Sequence, residues 1–193
     1  MSKQILTLAI RAGSHIQRYS FHSGINILCG QHAAEILPTL SGIFGGTPVG
    51  VFCAELQWQD GVILSISGAE GQVFLEGIRA AQGDPAQWAK DFHKQRFLTC
   101  RDRRHIFDGR ELPDGTSGAG QRLLDKLHAA LACTDDRPLF VTDFLERLDE
   151  AVDPRPILAA LNLTGRQAFL AVPHSYTIKT LEELPYVQFI RTP

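Results

Sequence analysis

A short apolar run, Leu139, Phe140 and Val141, turns acidic at Asp143 and closes on a second acid, Asp149. Such a run reads as a buried strand of a parallel sheet. Polar side chains that follow it stand at the sheet's carboxyl edge, where open α/β folds bind their ligands. The plainer reading is a strand followed by a helix N-cap. Three more stretches carry groups that can meet a ligand. Gly30, Gln31, His32, Ala33 and Ala34 follow the apolar run Ile25 to Cys29, and a glycine turn before a helix lets backbone N–H groups approach an anion. Ser117, Gly118, Gly120 and Gln121 open a stretch whose apolar residues, from Leu123 to Leu131, recur at helical spacing. His174 follows the apolar run Ala168 to Val172, where a histidine is more often structural than functional.

The elements that must position these residues can be read in order. Ile5 to Ile10 and His15 to Phe21 read as a hairpin, and Ile25 to Cys29 as a short buried strand. A helix follows Gly30, with Pro38 expected to bend or delay it and the glycines from Gly42 to Gly50 to end it. Val49 to Trp58, Val62 to Ser67 and Gln72 to Glu76 read as antiparallel strands, with Asp60-Gly61 as a hairpin turn. Ile78 to Cys100 is mostly helical in pattern, and Asp84-Pro85 is a start signal inside it. Pro154 to Leu161 reads as a helix, Ala168 to Val172 as a strand and Tyr186 to Arg191 as the last strand.

The order of these stretches resembles that of ABC-type ATPases, and most of all their soluble RecF/SMC-like branch. The phrase Gly24, Ile25, Asn26, Ile27, Leu28 leads into a glycine turn, a serine-glycine-glutamine helix start follows, then an acidic strand end and a strand ending in histidine. The resemblance implies an α/β P-loop NTPase-like fold: a three-layer sandwich with a mixed, mostly parallel sheet and a small antiparallel β-subdomain. It implies one domain over 1–193, with a β-rich lobe at about 1–78 holding a remnant phosphate loop at 30–37. A helical segment at about 79–115 and a core at 116–193 complete it. The 87 positions from Gly30 to Ser117 leave no room for long coiled-coil arms and suit a bare head domain.

The same resemblance assigns roles. Gly30 to Ala34 would be the remnant of the phosphate loop. Ser117, Gly118, Gly120 and Gln121 would be the signature that meets a nucleotide across a dimer, and Asp149 would lie in the interface loop. His174 would be the switch histidine at the γ-phosphate. Asp143 is read in two registers: as the successor of the catalytic glutamate, with Thr142 in place of the magnesium aspartate, or as the metal ligand itself, with Phe144 in place of the base. The first needs no gap. Trp58 and Tyr19 are candidates for stacking on a base, with packing the better reading for both.

The loop departs from the family's G-x-x-x-x-G-K-[ST]. From Gly30 the chain reads G-Q-H-A-A-E-I-L, so Glu35, Ile36 and Leu37 stand where the second glycine, the lysine and the hydroxyl belong. An anion and an apolar group replace the cation beside a triphosphate. The expectation is a catalytically inactive pseudo-ATPase acting as a binding or regulatory module. Its alternatives are a nucleotide-binding subunit active only as a dimer or with a partner, and a DNA-associated structural subunit. ATP with magnesium is the only cofactor the resemblance brings into question; no metal site is expected. The expected partner is a protein or a second copy at the signature-like face.

Composition narrows the classes further. The 193 residues are 44% hydrophobic with a net charge of −2, which gives a well-cored chain without bulk affinity for nucleic acid or membranes. Lys94, Arg96, Arg101, Arg103 and Arg104 form the only basic cluster that points to nucleic acid, diluted by Asp91 and Asp102. The four cysteines form no C-x-x-C pair, no run spans a bilayer, and the N-terminus does not read as a signal peptide, so a cytoplasmic protein with reduced thiols is expected.

Overall fold

The computed structural model describes residues 3–12, 14–45, 47–59, 61–80, 82–99, 106–108, 136–142, 155–172, 181 and 184–192. They form an α/β chain of two compact units, one of residues 1–21 and 38–103, the other of residues 22–37 and 104–193.

The first unit is built on an antiparallel sheet of five strands: β1 (Gln4–Ala12), β2 (His15–Ser20), β4 (Phe52–Gln59), β5 (Val62–Ala69) and β6 (Gln72–Arg79), in the order β2-β1-β4-β5-β6. Strict alternation of buried and half-buried residues along β5 shows one covered face. Leu8, Phe52, Leu56, Trp58, Leu64 and Ile66 line that face and are buried. Trp58 stacks on Phe44 at 6.3 Å and meets the edge of Phe92 at 5.3 Å, so its ring is core, in line with the packing reading. The β5–β6 hairpin turns on Glu70 and Gly71, with φ of 51° and 79°, the two left-handed residues a tight hairpin needs.

Two helical boundaries differ from the sequence expectation. The ladder between β5 and β6 continues through Ser65–Gly77, Leu64–Ile78 and Ile63–Arg79, so Ile78 is strand and the helix α2 (Pro85–Thr99) begins at the proline. The helix α1 (Ala33–Gly45) starts five residues before Pro38 and contains it, so the proline does not delay it. Burial of Ile36, Leu37, Leu40, Ile43 and Phe44 along one stripe outweighs the single backbone bond a proline removes. Arg96 of α2 donates to the carbonyls of Ile43 (3.0 Å) and Gly42 (3.4 Å), satisfying the last turn of α1. One member of the basic cluster is thereby a helix cap; Arg101, Arg103 and Arg104 lie outside the described residues.

The second unit holds a parallel sheet of β3 (Ile25–Cys29), β7 (Ile106–Asp108), β8 (Leu139–Thr142), β9 (Ala168–Val172) and β10 (Val187–Arg191), ordered β10-β3-β9-β8-β7. Every pairing in it is parallel. β3 is buried at all five residues, as a central parallel strand must be. Ile25, Ile27, Leu139, Val141, Ala168 and Leu170 line one face, and Ile157, Leu158 and Leu161 of α3 (Arg155–Leu163) belong to the same core. On the opposite parity Phe140 and Phe169 stack at 5.4 Å. Among the described residues each sheet has five strands. Among the described residues no helix is long and apolar enough to cross a membrane.

Candidate functional site

Of the expected residues, only the glycine turn from Gly30 lies among the described ones. Cys29 is in register with Val172 of β9 and with Arg191 of β10, and Thr142 of β8 with Asp108 of β7. β3, β8 and β9 therefore end at one edge of the sheet, the edge at which such sheets bind ligands. Asp143, Asp149, His174, Ser117, Gly118, Gly120 and Gln121 lie outside the described residues. The glycine turn at residues 30–37 is described in full.

β3 is held at its entry by Asn26, which is completely buried. Its Nδ2 donates to the carbonyls of His22 (3.0 Å) and Gly24 (3.2 Å), and its Oδ1 accepts the His22 N–H at 3.1 Å. Gln167, also buried, donates to the His22 carbonyl at 2.9 Å. His22 Nδ1 accepts the Gly24 N–H at 2.8 Å. Burial pushes this imidazole below its ordinary value, opposed in part by a backbone hydrogen bond with Ile25. The asparagine in the Gly-x-Asn phrase is thus the clamp that fixes where β3 begins, and hence where it delivers Gly30.

At its exit β3 meets the end of the chain. Thr192 donates from its N–H (2.7 Å) and its hydroxyl (3.2 Å) to the Cys29 carbonyl. The Cys29 thiol donates to the Ile190 carbonyl at 3.4 Å. Gly30 turns away at φ +122°, and a Cβ placed there would lie 2.1 Å from the Thr192 carbonyl oxygen. The turn closes with the Ala33 N–H on the Gly30 carbonyl (3.3 Å), and α1 begins as Glu35 and Ile36 both donate to the His32 carbonyl. Sequence reasoning missed Thr192, because nothing local marks a residue after the last strand as the support of a loop far upstream.

The first turn of α1 sets the electrostatics. Glu35 Oε2 lies 2.9 Å from His32 Nδ1, three residues apart, with both side chains reaching solvent. A carboxylate in the first turn is stabilised by the exposed N–H groups of the helix end. Ile36 and Leu37 are each 2% exposed and point into apolar packing. Ala33 is buried, Ala34 and Gln31 exposed. His32 therefore has a partner within its own helix start, a pairing visible in the i, i+3 spacing. Among the described residues no group of three or more His, Cys, Asp or Glu could hold a metal ion.

No protein-family model matches the chain, and no curated protein matches it in sequence. Among solved structures the chain is similar to the SMC head domain from Thermotoga maritima, at a TM-score of 0.56 and 11% identity, over 96% of this chain and 94% of that one. Such coverage with so little identity says that the chain has the fold of an SMC head domain.

Proposed function

We propose that this chain is a catalytically inactive member of the RecF/SMC-like branch of ABC-type ATPases, a pseudo-ATPase that serves as a binding or regulatory module on a three-layer P-loop scaffold. The observation that carries the reading is the first turn of α1. The family's lysine and hydroxyl positions are Ile36 and Leu37, both buried, and the acidic residue of the loop's second half is Glu35, paired with His32. Phosphoryl transfer depends on neutralising the charge that spreads over the phosphoryl oxygens. The residues present do not fit a magnesium triphosphate: the loop offers no cation at the lysine position, no hydroxyl for the metal, and an anion beside the phosphates. Each lost electrostatic donor is worth about 3–4 kcal/mol of barrier, so their joint loss leaves negligible turnover.

Calorimetry with Mg-ATP and ADP on the purified chain tests the reading. No heat and no melting shift at millimolar nucleotide is the expected result. ATP hydrolysis abolished by Asp143→Ala would overturn it. A second reading, a nucleotide-binding subunit completed by a partner or a second copy, is favoured by the Gly30 turn. That turn still leads into a helix N-terminus, which attracts an anion weakly. Micromolar binding of Mg-ATP would support that second reading.

A further inference from the structure

The turn after β3 is held by the residue that follows β10. The peptide joining Cys29 to Gly30 presents its carbonyl to Thr192, which donates to it from the amide at 2.7 Å and from the hydroxyl at 3.2 Å. The Cys29 thiol donates back to the Ile190 carbonyl at 3.4 Å. Gly30 then sits at φ +122° with Thr192 against its Cα: a Cβ there would lie 2.1 Å from the Thr192 carbonyl oxygen and 2.7 Å from its hydroxyl. Thr192 is buried, whereas Arg191 before it and Gln31 after the glycine are exposed. All these residues belong to the second unit.

A peptide that precedes a glycine has two orientations open to it. Turning its plane over moves the glycine from positive to negative φ, and a residue without Cβ adopts both. The same flip takes the preceding residue from an extended to a helical ψ, which L residues also adopt. At Cys29–Gly30 the two Thr192 donors select one orientation, because the flipped carbonyl would leave both behind. The rest of the turn is built on that orientation. The Gly30 carbonyl accepts the Ala33 N–H at 3.3 Å, a long and yielding bond, and Glu35 and Ile36 then start α1 on the His32 carbonyl at 3.1 Å each.

We propose that Thr192 is a latch on a two-state turn. Closed, it fixes the Cys29–Gly30 peptide and through it the start of α1. When residues 190–192 lift from Cys29, the peptide turns over, the Gly30–Ala33 bond is lost and the first turn of the helix frays, while the rest of the fold stays intact. A displacement of the end of β10 thus reaches the loop after β3. The inference rests on the reading of this turn as a remnant phosphate loop only for what the latch regulates, namely how the turn's amides are presented to an anion. The latch itself needs only the contacts described above. A merely structural Thr192 differs in one respect: the turn would then open only when the whole chain unfolds.

The test is residue-resolved amide hydrogen exchange on the full chain. Thr192→Val removes the hydroxyl donor, Thr192→Pro removes hydroxyl and amide together, and Thr192→Ser keeps both. Ile66→Val is the control: it trims a buried side chain of the first unit and lowers global stability by a similar amount. Exchange at Ala33, Glu35 and Ile36 is expected to quicken about fivefold in Thr192→Val and further in Thr192→Pro. It should keep the wild-type rate in Thr192→Ser and in Ile66→Val. The proposal is overturned if Ile66→Val quickens these amides as much as Thr192→Val, since the turn then opens only by global unfolding. It is equally overturned if Thr192→Val and Thr192→Pro leave them unchanged, or if Thr192→Ser quickens them as much as Thr192→Val. Should Thr192→Pro fail to fold, Thr192→Val against Ile66→Val decides alone. Mg-ATP calorimetry on the same variants reads the nucleotide site separately, so failure of the latch and failure of the phosphate-loop reading are seen apart.

Discussion

Thr192 stands over Gly30. The carbonyl oxygen of the one occupies the space that a side chain on the other would need, while the Thr192 amide and hydroxyl both bind the Cys29 carbonyl just before the turn. The last strand of the chain therefore shapes the turn after β3. Gly30→Ala combines a steric collision at 2.1 Å with a left-handed φ of +122°. A loss of about 3 kcal/mol is expected, read from urea denaturation. Thr192→Val keeps the shape and the amide bond and should cost about 1 kcal/mol.

Asn26→Leu leaves the His22 and Gly24 carbonyls without the Asn26 amide and the His22 N–H without its acceptor. Because these groups lie at the entry of a wholly buried strand, the expected loss is about 2–3 kcal/mol. Equilibrium unfolding measures it.

Stability should depend on pH through His22. Its folded-state pKa is lowered, chiefly by burial, so below the ordinary value of 6.5 the unfolded chain binds the proton more readily. The contribution is complete above that value and is lost as pH falls from it towards the lowered folded value. Protonation also removes the acceptor for the Gly24 N–H. Melting temperature should therefore fall on acidification below about 6.5, and the fall should be shallower in His22→Gln.

Glu35→Lys replaces the anion at the start of α1 by a cation on an exposed position. If the Glu35 carboxylate is what repels a phosphate there, triphosphate binding should become detectable by calorimetry at millimolar nucleotide, with hydrolysis still absent because Ile36 and Leu37 stay apolar. Continued absence of heat would mean that the Gly30 turn does not present its amides to an anion at all.

The buried parallel strands were legible because each is a short apolar run ending in a turn or a polar residue: Ile25 to Cys29 before Gly30, Leu139 to Val141 before Thr142, and Ala168 to Val172. The β4–β5 hairpin was legible through Asp60-Gly61. β7 was not, since three residues give no periodicity and its support comes from the β8 ladder. Pro38 misled because its local penalty is visible in sequence and the packing of Leu40 and Phe44 beyond it is not. The helical pattern from Ile78 misled in the same way, the strand being carried through Arg79 by pairing with β5 and by the Arg79–Glu55 contact. At the site, the glycine turn was readable. The contribution of Thr192 was not, because it arises between residues 163 positions apart.

The threading of the chain has a consequence for its synthesis. β3, apolar and without a local partner, leaves the ribosome well before its neighbours β9 (Ala168–Val172) and β10 (Val187–Arg191) are made. Until Ala168 and Val187 emerge to pair with Ile25, this strand has nowhere to be buried. The first unit can complete its own sheet meanwhile, since β1, β2, β4, β5 and β6 are all translated by residue 79. Nascent chains halted midway should therefore present a finished antiparallel sheet together with one sticky strand, which is the kind of surface that chaperones hold and that truncated fragments use to aggregate.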